Sequence, residues 1–270
     1  MVMVSVTVDG QKVEVPKGST ILEAAKKAGI KIPTLCHHED LKVSAMCRIC
    51  VVEVAGARTL QTACSQPVTD GMVIVTNSPM VRQARKMNLE LLLSNHPQDC
   101  LNCVRNQRCE LQALADQLGI RAQHFPARKE LEHPKDESTP ALVRDPDKCI
   151  LCRRCVEVCH EVQGVGAIGP ANRGMKTQIL PSGGVDLNDA ACVLCGQCSL
   201  VCPVGAIYEQ DHTERVWAAL ADPEKHVVVQ TAPAIRVSIG EEFGLEPAQV
   251  TTGKLVAALR RLGFDRVFDT

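Results

Sequence analysis

Cys149-Ile150-Leu151-Cys152-Arg153-Arg154-Cys155-Val156-Glu157-Val158-Cys159 is echoed by Cys192-Val193-Leu194-Cys195-Gly196-Gln197-Cys198-Ser199-Leu200-Val201-Cys202, and these two runs decide how the chain is read. Thiolates two or three residues apart on one loop can surround an iron–sulfur cubane, and a loop so spaced has little other use. The other cysteines form two further sets. Cys36, Cys47, Cys50 and Cys64 are separated by ten, two and thirteen residues, and His96, Cys100, Cys103 and Cys109 read H-x3-C-x2-C-x5-C. Together the four sets use all 15 cysteines. Three thiolates would leave a cubane one ligand short, so His96 is read as the fourth ligand of its set. A neutral imidazole in place of an anionic thiolate raises the potential of the cluster it holds.

Zinc is the main alternative, because C-x2-C pairs also bind that ion. Structural zinc takes two pairs or a Cys/His quartet, without a third cysteine and then a fourth three residues later. Disulfides are the weaker alternative: no signal peptide opens the chain, and thiols of the expected cytoplasmic setting stay reduced. The repeated run ending in Cys202-Pro203 resembles the two-cluster bacterial ferredoxins, whose fourth cysteine ligates the other cluster. That resemblance implies one cubane on Cys149, Cys152, Cys155 and Cys202, and a second on Cys192, Cys195, Cys198 and Cys159.

At 270 residues the chain suggests several compact units, and aromatics make up only 2% of it, so its cores are expected to use Val, Ile, Leu and Ala. The net charge of −1 implies neither nucleic acid nor an anionic membrane as partner. No apolar run approaches the roughly 18 residues that span a bilayer.

Alternation over residues 2–8, the Asp9-Gly10 turn and residues 11–15 predict a hairpin. Ser19-Thr20 predict the cap of a helix running to about Ala28 and closed by Gly29. With a cysteine loop and the strand at 51–54, this predicts a β-grasp layout. His37 and His38, next to a ligand, are expected to face solvent. An amphipathic helix is predicted from Pro79 to about Leu93, with a basic front (Arg82, Arg85, Lys86), and another from about Cys109 to Leu118. That basic front, with Arg153 and Arg154 beside a cubane, is a candidate face for an acidic ferredoxin or a flavin subunit. Residues 121–148 read as a polar, proline-bearing linker.

Gly164-Val165-Gly166-Ala167-Ile168-Gly169 matches G-x-G-x-x-G, with Asp189 twenty residues on, the spacing of a dinucleotide site. A cysteine-bearing helix stands where the required strand should precede it, so the glycines are read as room for close backbone packing near a cluster. After Ile207 the composition changes. A strand at 226–231 that reads as buried on both faces, a helix from Pro233 to Gly244, a helix capped by Thr251 or Thr252 and closed by Gly263, and a strand at 266–268 suggest the opening of an α/β domain.

The first ligand set resembles the 2Fe–2S domain at the start of the large iron–sulfur subunit of complex I. The complete order resembles the accessory region of the diiron hydrogenases, and the stretches 229–240, 241–245 and 253–270 resemble the opening of their catalytic domain. The implied fold class is α+β multi-domain. It comprises a β-grasp 2Fe–2S domain (1–78), a small helical domain with a one-His, three-Cys cluster plus linker (79–140), a double-cubane ferredoxin domain (141–210) and a partial α/β tail (211–270). The implied cofactors are one 2Fe–2S and three 4Fe–4S clusters, with flavin and NAD(P) on partner subunits.

That family's catalytic domain supplies four further cysteines for the hydrogen-activating cluster, and no cysteine follows Cys202. The leading expectation is therefore an electron-transfer subunit of an NAD(P)H- and ferredoxin-linked, electron-bifurcating flavoprotein complex, with no catalytic site of its own. Its expected partners are a flavin- and NAD(P)-binding subunit, a small 2Fe–2S subunit, a soluble ferredoxin, and further copies of the complex. The alternatives are the N-terminal part of a diiron hydrogenase catalytic subunit and a scaffold whose clusters never turn over.

Overall fold

The computed structural model describes residues 2–122, 124–126 and 133–270. Part of the expected linker, residues 123 and 127–132, lies outside the described residues. The chain divides into two compact units, Met1–Gln210 and Asp211–Thr270.

The first unit opens with strands β1 (Met3–Val8) and β2 (Gln11–Pro16), paired antiparallel around Asp9-Gly10. Both turn residues have positive φ, which suits the right-handed twist of a two-residue hairpin. Val4, Val6 and Val8 alternate into the core. Helix α1 (Ile21–Lys27) starts at a capping box: Thr20 accepts from the Glu23 N–H, and the Glu23 carboxylate accepts from the Thr20 N–H. Its Ile21, Ala24 and Ala25 are buried in the same core. Strands β3 (Val51–Val54), β4 (Gln61–Thr62) and β5 (Val73–Val75) complete a mixed sheet of order β2-β1-β5-β3-β4, with β5 parallel to β1. Cys50 and Cys64 are buried in this core.

Ser78 caps helix α2 (Pro79–Leu93), with Pro79 in the first turn, where its missing N–H costs nothing. The expected basic front is only partly a surface. Arg82 and Lys86 are exposed, but Arg85 is buried and its Nη2 donates to the Val51 carbonyl at 2.8 Å. Asn88 Nδ2 donates to the Arg48 carbonyl at 2.8 Å. The helix thus grips the loop that carries Cys47 and Cys50. Helix α3 (Glu110–Gln117) follows, with Leu111 and Leu114 buried.

The expected linker contains a strand. β6 (Leu142–Arg144) is buried at all three residues and pairs antiparallel with β9 (Ile207–Glu209). Between them lie the short helix α4 (Arg154–Glu157), a π-helical turn at Val158–Val162, the paired strands β7 (Ile168–Ala171) and β8 (Gln178–Pro181), and helix α5 (Gln197–Leu200). The second unit holds α6 (Thr213–Leu220), β10 (Val228–Thr231), α7 (Ile235–Ser238), α8 (Thr252–Leu262) and β11 (Arg266–Asp269). β10 and β11 pair in parallel. Contrary to the reading of the 226–231 stretch as buried on both faces, Val228 is 52% exposed and within β10 only Thr231 is buried.

Asp136 and Arg144 brace the first unit. Their side chains are 10% and 6% exposed and meet at 3.1 Å. The Asp136 carboxylate also accepts from the Leu187 N–H and from Ser138, while Arg144 Nη2 donates to the Ile179 carbonyl. Burial pushes the Asp136 carboxyl up, but the hydrogen bonds from Ser138 and Leu187 and the charge of Arg144 outweigh it and hold the pKa below the usual carboxylate range. A depressed pKa contributes stability above the ordinary aspartate range, and that contribution is lost as pH falls through the lowered value. Asp136→Ala is expected to cost about 3 kcal/mol at neutral pH by stranding Arg144. Denaturant melts of the cluster-loaded protein at pH 7 and at acid pH check this, since the difference from wild type should shrink on acidification.

Candidate metal centres

The two long cysteine runs adopt the same backbone course. Leu151 and Arg153 in the first run have left-handed φ, as do Leu194 and Gly196 in the second. Alternation of right- and left-handed residues turns successive N–H groups inward and forms a concave nest for an anionic group. The second run meets the cost of this backbone with glycine, whereas the first holds an arginine there. The Leu151 N–H points at Cys149 Sγ at 3.4 Å, and the Ala167 N–H at Cys159 Sγ at 3.3 Å.

Cys159 sits in the π-helical turn, whose wide loop carries it away from its own run. The glycine-rich stretch closes around it: the Val165 and Gly166 N–H groups both donate to the Cys159 carbonyl. Gly166 has φ +66°, and a Cβ there would lie 3.1 Å from the His160 ring. The G-x-G-x-x-G stretch is thus a turn wrapped on a cysteine, and its last two residues open β7.

The runs exchange their fourth cysteines. One cavity is lined by Cys149, Cys152, Cys155 and Cys202, with Ile150 and Val204. Another is lined by Cys159, Cys192, Cys195 and Cys198, with Leu142 and Ile207. Burial pushes the Cys152 thiol up to about 12, with the charges of Cys202 and Cys149 adding to the effect. Cys198 is likewise pushed to about 12, by burial and then by Cys192, Cys195 and Cys159. Cys155 is driven up by burial and by Cys149, Cys152 and Cys202. Thiols so placed resist ionising together unless cations compensate them.

Cys36, Cys47, Cys50 and Cys64 are all buried. The Cys36 thiol hydrogen-bonds Cys47, which is lowered to about 6 by that bond, while Cys36 itself is raised by it. Cys50 and Cys64 form the matching pair, with Cys50 lowered and Cys64 raised. Cys64 also feels Cys36 and Cys47, so the four act on one another. The loop between them needs left-handed backbone at Ala45 and Arg48.

In the last set, burial raises Cys109, and Cys103 and Cys100 raise it further. His96 follows the end of α2, its N–H donating to the Leu93 carbonyl at 3.2 Å. The ferredoxin-like region abuts this set: the Glu110 N–H donates to the Pro203 carbonyl at 3.0 Å, and a Cβ on Gly205 would lie 2.8 Å from Cys103 Sγ.

The residues present fit iron–sulfur clusters. Apart from His96 the donor sets are cysteines, the two cavities are lined mostly by cysteines and apolar side chains with Arg144 in both, and the space over Gly205 is one that a methyl group would fill. Among the described residues, the Nε groups of Arg85 and Arg154 are buried without a hydrogen-bond partner. Also among the described residues, no three His, Cys, Asp or Glu side chains gather as a single-ion site.

Two sequence expectations are corrected. Arg154, expected on a face for partners, is buried. His37 and His38, expected to face solvent, are both half-buried, and the His37 carbonyl accepts from Arg154 Nη2 at 2.9 Å. Neither placement is readable from local spacing, because both depend on segments more than a hundred residues apart.

Residues 2–79 match the family described as 2Fe-2S iron-sulfur cluster binding domain, and residues 85–124 the NADH-ubiquinone oxidoreductase-G iron-sulfur binding region. Residues 148–206 match the 4Fe-4S dicluster domain, and residues 225–270 the iron only hydrogenase large subunit, C-terminal domain. The chain is 49% identical to the NADP-reducing hydrogenase subunit HndD of Solidesulfovibrio fructosivorans, over 100% of this chain and 47% of that protein. It is 40% identical to the NADH-ubiquinone oxidoreductase 75 kDa subunit of Reclinomonas americana, over 80% of this chain and 31% of that one. Among solved structures, a chain of the NAD+-reducing [NiFe]-hydrogenase in the H2-reduced state aligns with TM-score 0.72 and 33% identity, covering 77% of this chain and 87% of that one. The chain spans less than half the length of these two curated relatives. It belongs to the iron–sulfur accessory family shared by these hydrogenases and the large iron–sulfur subunits of NADH-ubiquinone oxidoreductase, with a mixed α+β fold of 2Fe–2S and 4Fe–4S ferredoxin-like domains.

Gly205→Ala is expected to displace Cys103 and to remove one cubane, lowering iron by about four per chain while the other clusters stay. Iron analysis with low-temperature EPR of the reduced protein checks this. Full iron with unaltered signals would show that the close approach is not needed.

Proposed function

We propose that this chain conducts electrons through one 2Fe–2S and three 4Fe–4S clusters within an NAD(P)H-linked oxidoreductase complex. The observation that carries the reading is the exchange of fourth cysteines between two cavities, each lined by a complete four-thiol set. When bound, the clusters would accept and release single electrons. The chain's own residues hold them, exclude water and set their charge environment.

The proposed ligands are Cys36, Cys47, Cys50 and Cys64 for the 2Fe–2S cluster, and His96, Cys100, Cys103 and Cys109 for the first cubane. Cys149, Cys152, Cys155 and Cys202 would hold the second, and Cys159, Cys192, Cys195 and Cys198 the third. The corresponding division is residues 1–78, 79–140, 141–210 and 211–270.

One apolar core supports the order of transfer: it buries Cys36, Cys47 and Cys152 and is packed by Cys109, Cys149 and Cys202. Ligands from three sets therefore meet at one apolar core. The third cubane adjoins the second, through a core that includes Cys155, Cys159, Cys198 and Cys202. Its Cys195 is exposed, and Val193 and Leu200 beside it are 64% and 71% exposed. We assign this face to exchange of electrons with another module or protein. Flavin and NAD(P) belong on partner subunits in this reading, since the relatives named for NADP reduction and NADH oxidation are themselves named as subunits. The proposed setting is the cytoplasm. No helix is long and apolar enough to cross a membrane among the described residues.

A second reading has its own observation. Residues 225–270 match the hydrogenase C-terminal domain, and their β10–β11 pair leaves Val228 and Phe268 more than half exposed. In that reading the same wiring feeds a hydrogen-activating domain, with residues 211–270 as its opening.

Anaerobic protein is expected to hold about fourteen irons with matching sulfide. About four metal ions, mostly zinc, would overturn the assignment. His96→Cys should keep that iron content and lower one cluster's midpoint, because a thiolate adds negative charge where imidazole is neutral. Redox titration followed by EPR reads this, and unchanged midpoints would remove His96 from the ligand set.

A further inference from the structure

Arg154 is buried, at 5% exposure, although it is charged. Its guanidinium forks onto the Glu110 carboxylate, Nη1 to Oε1 at 2.7 Å and Nη2 to Oε2 at 2.9 Å. Nη2 also donates to the His37 carbonyl at 2.9 Å, and Nη1 reaches the Val201 carbonyl at 3.5 Å. Each partner is the chain neighbour of a proposed ligand: His37 follows Cys36, Glu110 follows Cys109, and Val201 precedes Cys202. Arg154 itself precedes Cys155.

The pseudo-repeat separates this role from the needs of the cysteine loop. Arg153 in the first run corresponds to Gly196 in the second, and Arg154 corresponds to Gln197. Both loops turn through left-handed residues at the same two places. A loop of this shape therefore forms with glutamine where Arg154 stands, and the arginine is needed for what it reaches.

We infer that Arg154 is a positioning residue that locks the Cys36 and Cys109 segments onto the Cys149–Cys155 run and so fixes the placement of three clusters relative to one another. The inference rests on the ligand sets proposed above. Electron transfer between clusters falls off steeply with separation, so a tie at the ligands' own chain neighbours acts where placement matters most. A guanidinium suits this place because it is planar, always charged, and donates in a fork that one carboxylate and two carbonyls can share. Lysine keeps the charge and loses the fork.

The test uses the full chain, cluster-loaded, as wild type, Arg154→Gln and Arg154→Lys. Arg154→Gln copies the residue that the second run carries at this place. Iron content is measured first: a wild type without the expected iron would sink the ligand assignment, and the exchange readout below would still decide the role of Arg154. Both variants are expected to keep wild-type iron. In both, the magnetic broadening of the 2Fe–2S EPR signal by the neighbouring reduced cubane should be lost. Amide exchange at residues 36–39 and 109–112 should rise by about tenfold or more, the equivalent of a lost charge-assisted hydrogen bond. Wild-type broadening and exchange in Arg154→Lys would show that charge alone matters and would overturn the positioning role. No change in either variant would overturn it too, and loss of all clusters in both would make Arg154 a folding residue instead.

Discussion

Buried thiolates repel one another and lack water to solvate them, so a chain that gathers them needs cations at the same place. Burial and mutual repulsion drive Cys152, Cys155 and Cys198 far from ionisation, while within each pair, Cys36 with Cys47 and Cys50 with Cys64, the shared hydrogen bond raises one thiol and lowers the other. Under the proposed assignment, iron supplies the missing positive charge and its binding is part of the folding free energy, as with structural metals. The scarcity of aromatic residues fits this dependence. The first unit relies on small aliphatic cores that run directly into the ligand loops.

Those cores also give the wiring its geometry. Helix α2 reaches from the Cys47–Cys50 loop, held through Arg85 and Asn88, to His96 just beyond its end. The Pro203–Gly205 segment then presses against Cys103 and Glu110. Cations stand at the junctions: Arg154 beside ligands of three sets, and Arg144 lining both four-cysteine cavities. Positive charge near a cluster favours its reduced state, and the partners Glu110 and Asp136 moderate that effect.

Local signals are legible in the sequence. The Ser19-Thr20 cap, the start at Pro79 and the Gly263 stop place α1, α2 and α8 within a residue or two, because the cause of each boundary lies beside it. The cysteine spacing marks the two long runs as loops built to face one group each. It does not by itself say that Cys159 and Cys202 line the opposite cavities, which depends on how the two runs fold together. Long-range features leave still less trace. β6 hides in a proline-bearing polar stretch and exists because β9, more than sixty residues later, pairs with it. Arg85 and Arg154 read as surface charge, since nothing near them in sequence shows the remote carbonyls and carboxylate that make their burial tolerable. α6 starts without a side-chain cap from His212, and the Asp211 carboxylate accepts from the Thr213 N–H instead, a bond one residue removed from the usual capping place.

Anomalous diffraction at the iron edge, from crystals of anaerobically prepared protein, decides whether the two long runs exchange their fourth cysteines around iron clusters. We expect one multi-iron peak within the Cys149, Cys152, Cys155 and Cys202 set and another within the Cys159, Cys192, Cys195 and Cys198 set. Single-atom peaks with a zinc edge, or clusters in which Cys159 and Cys202 stay with their own runs, would contradict it.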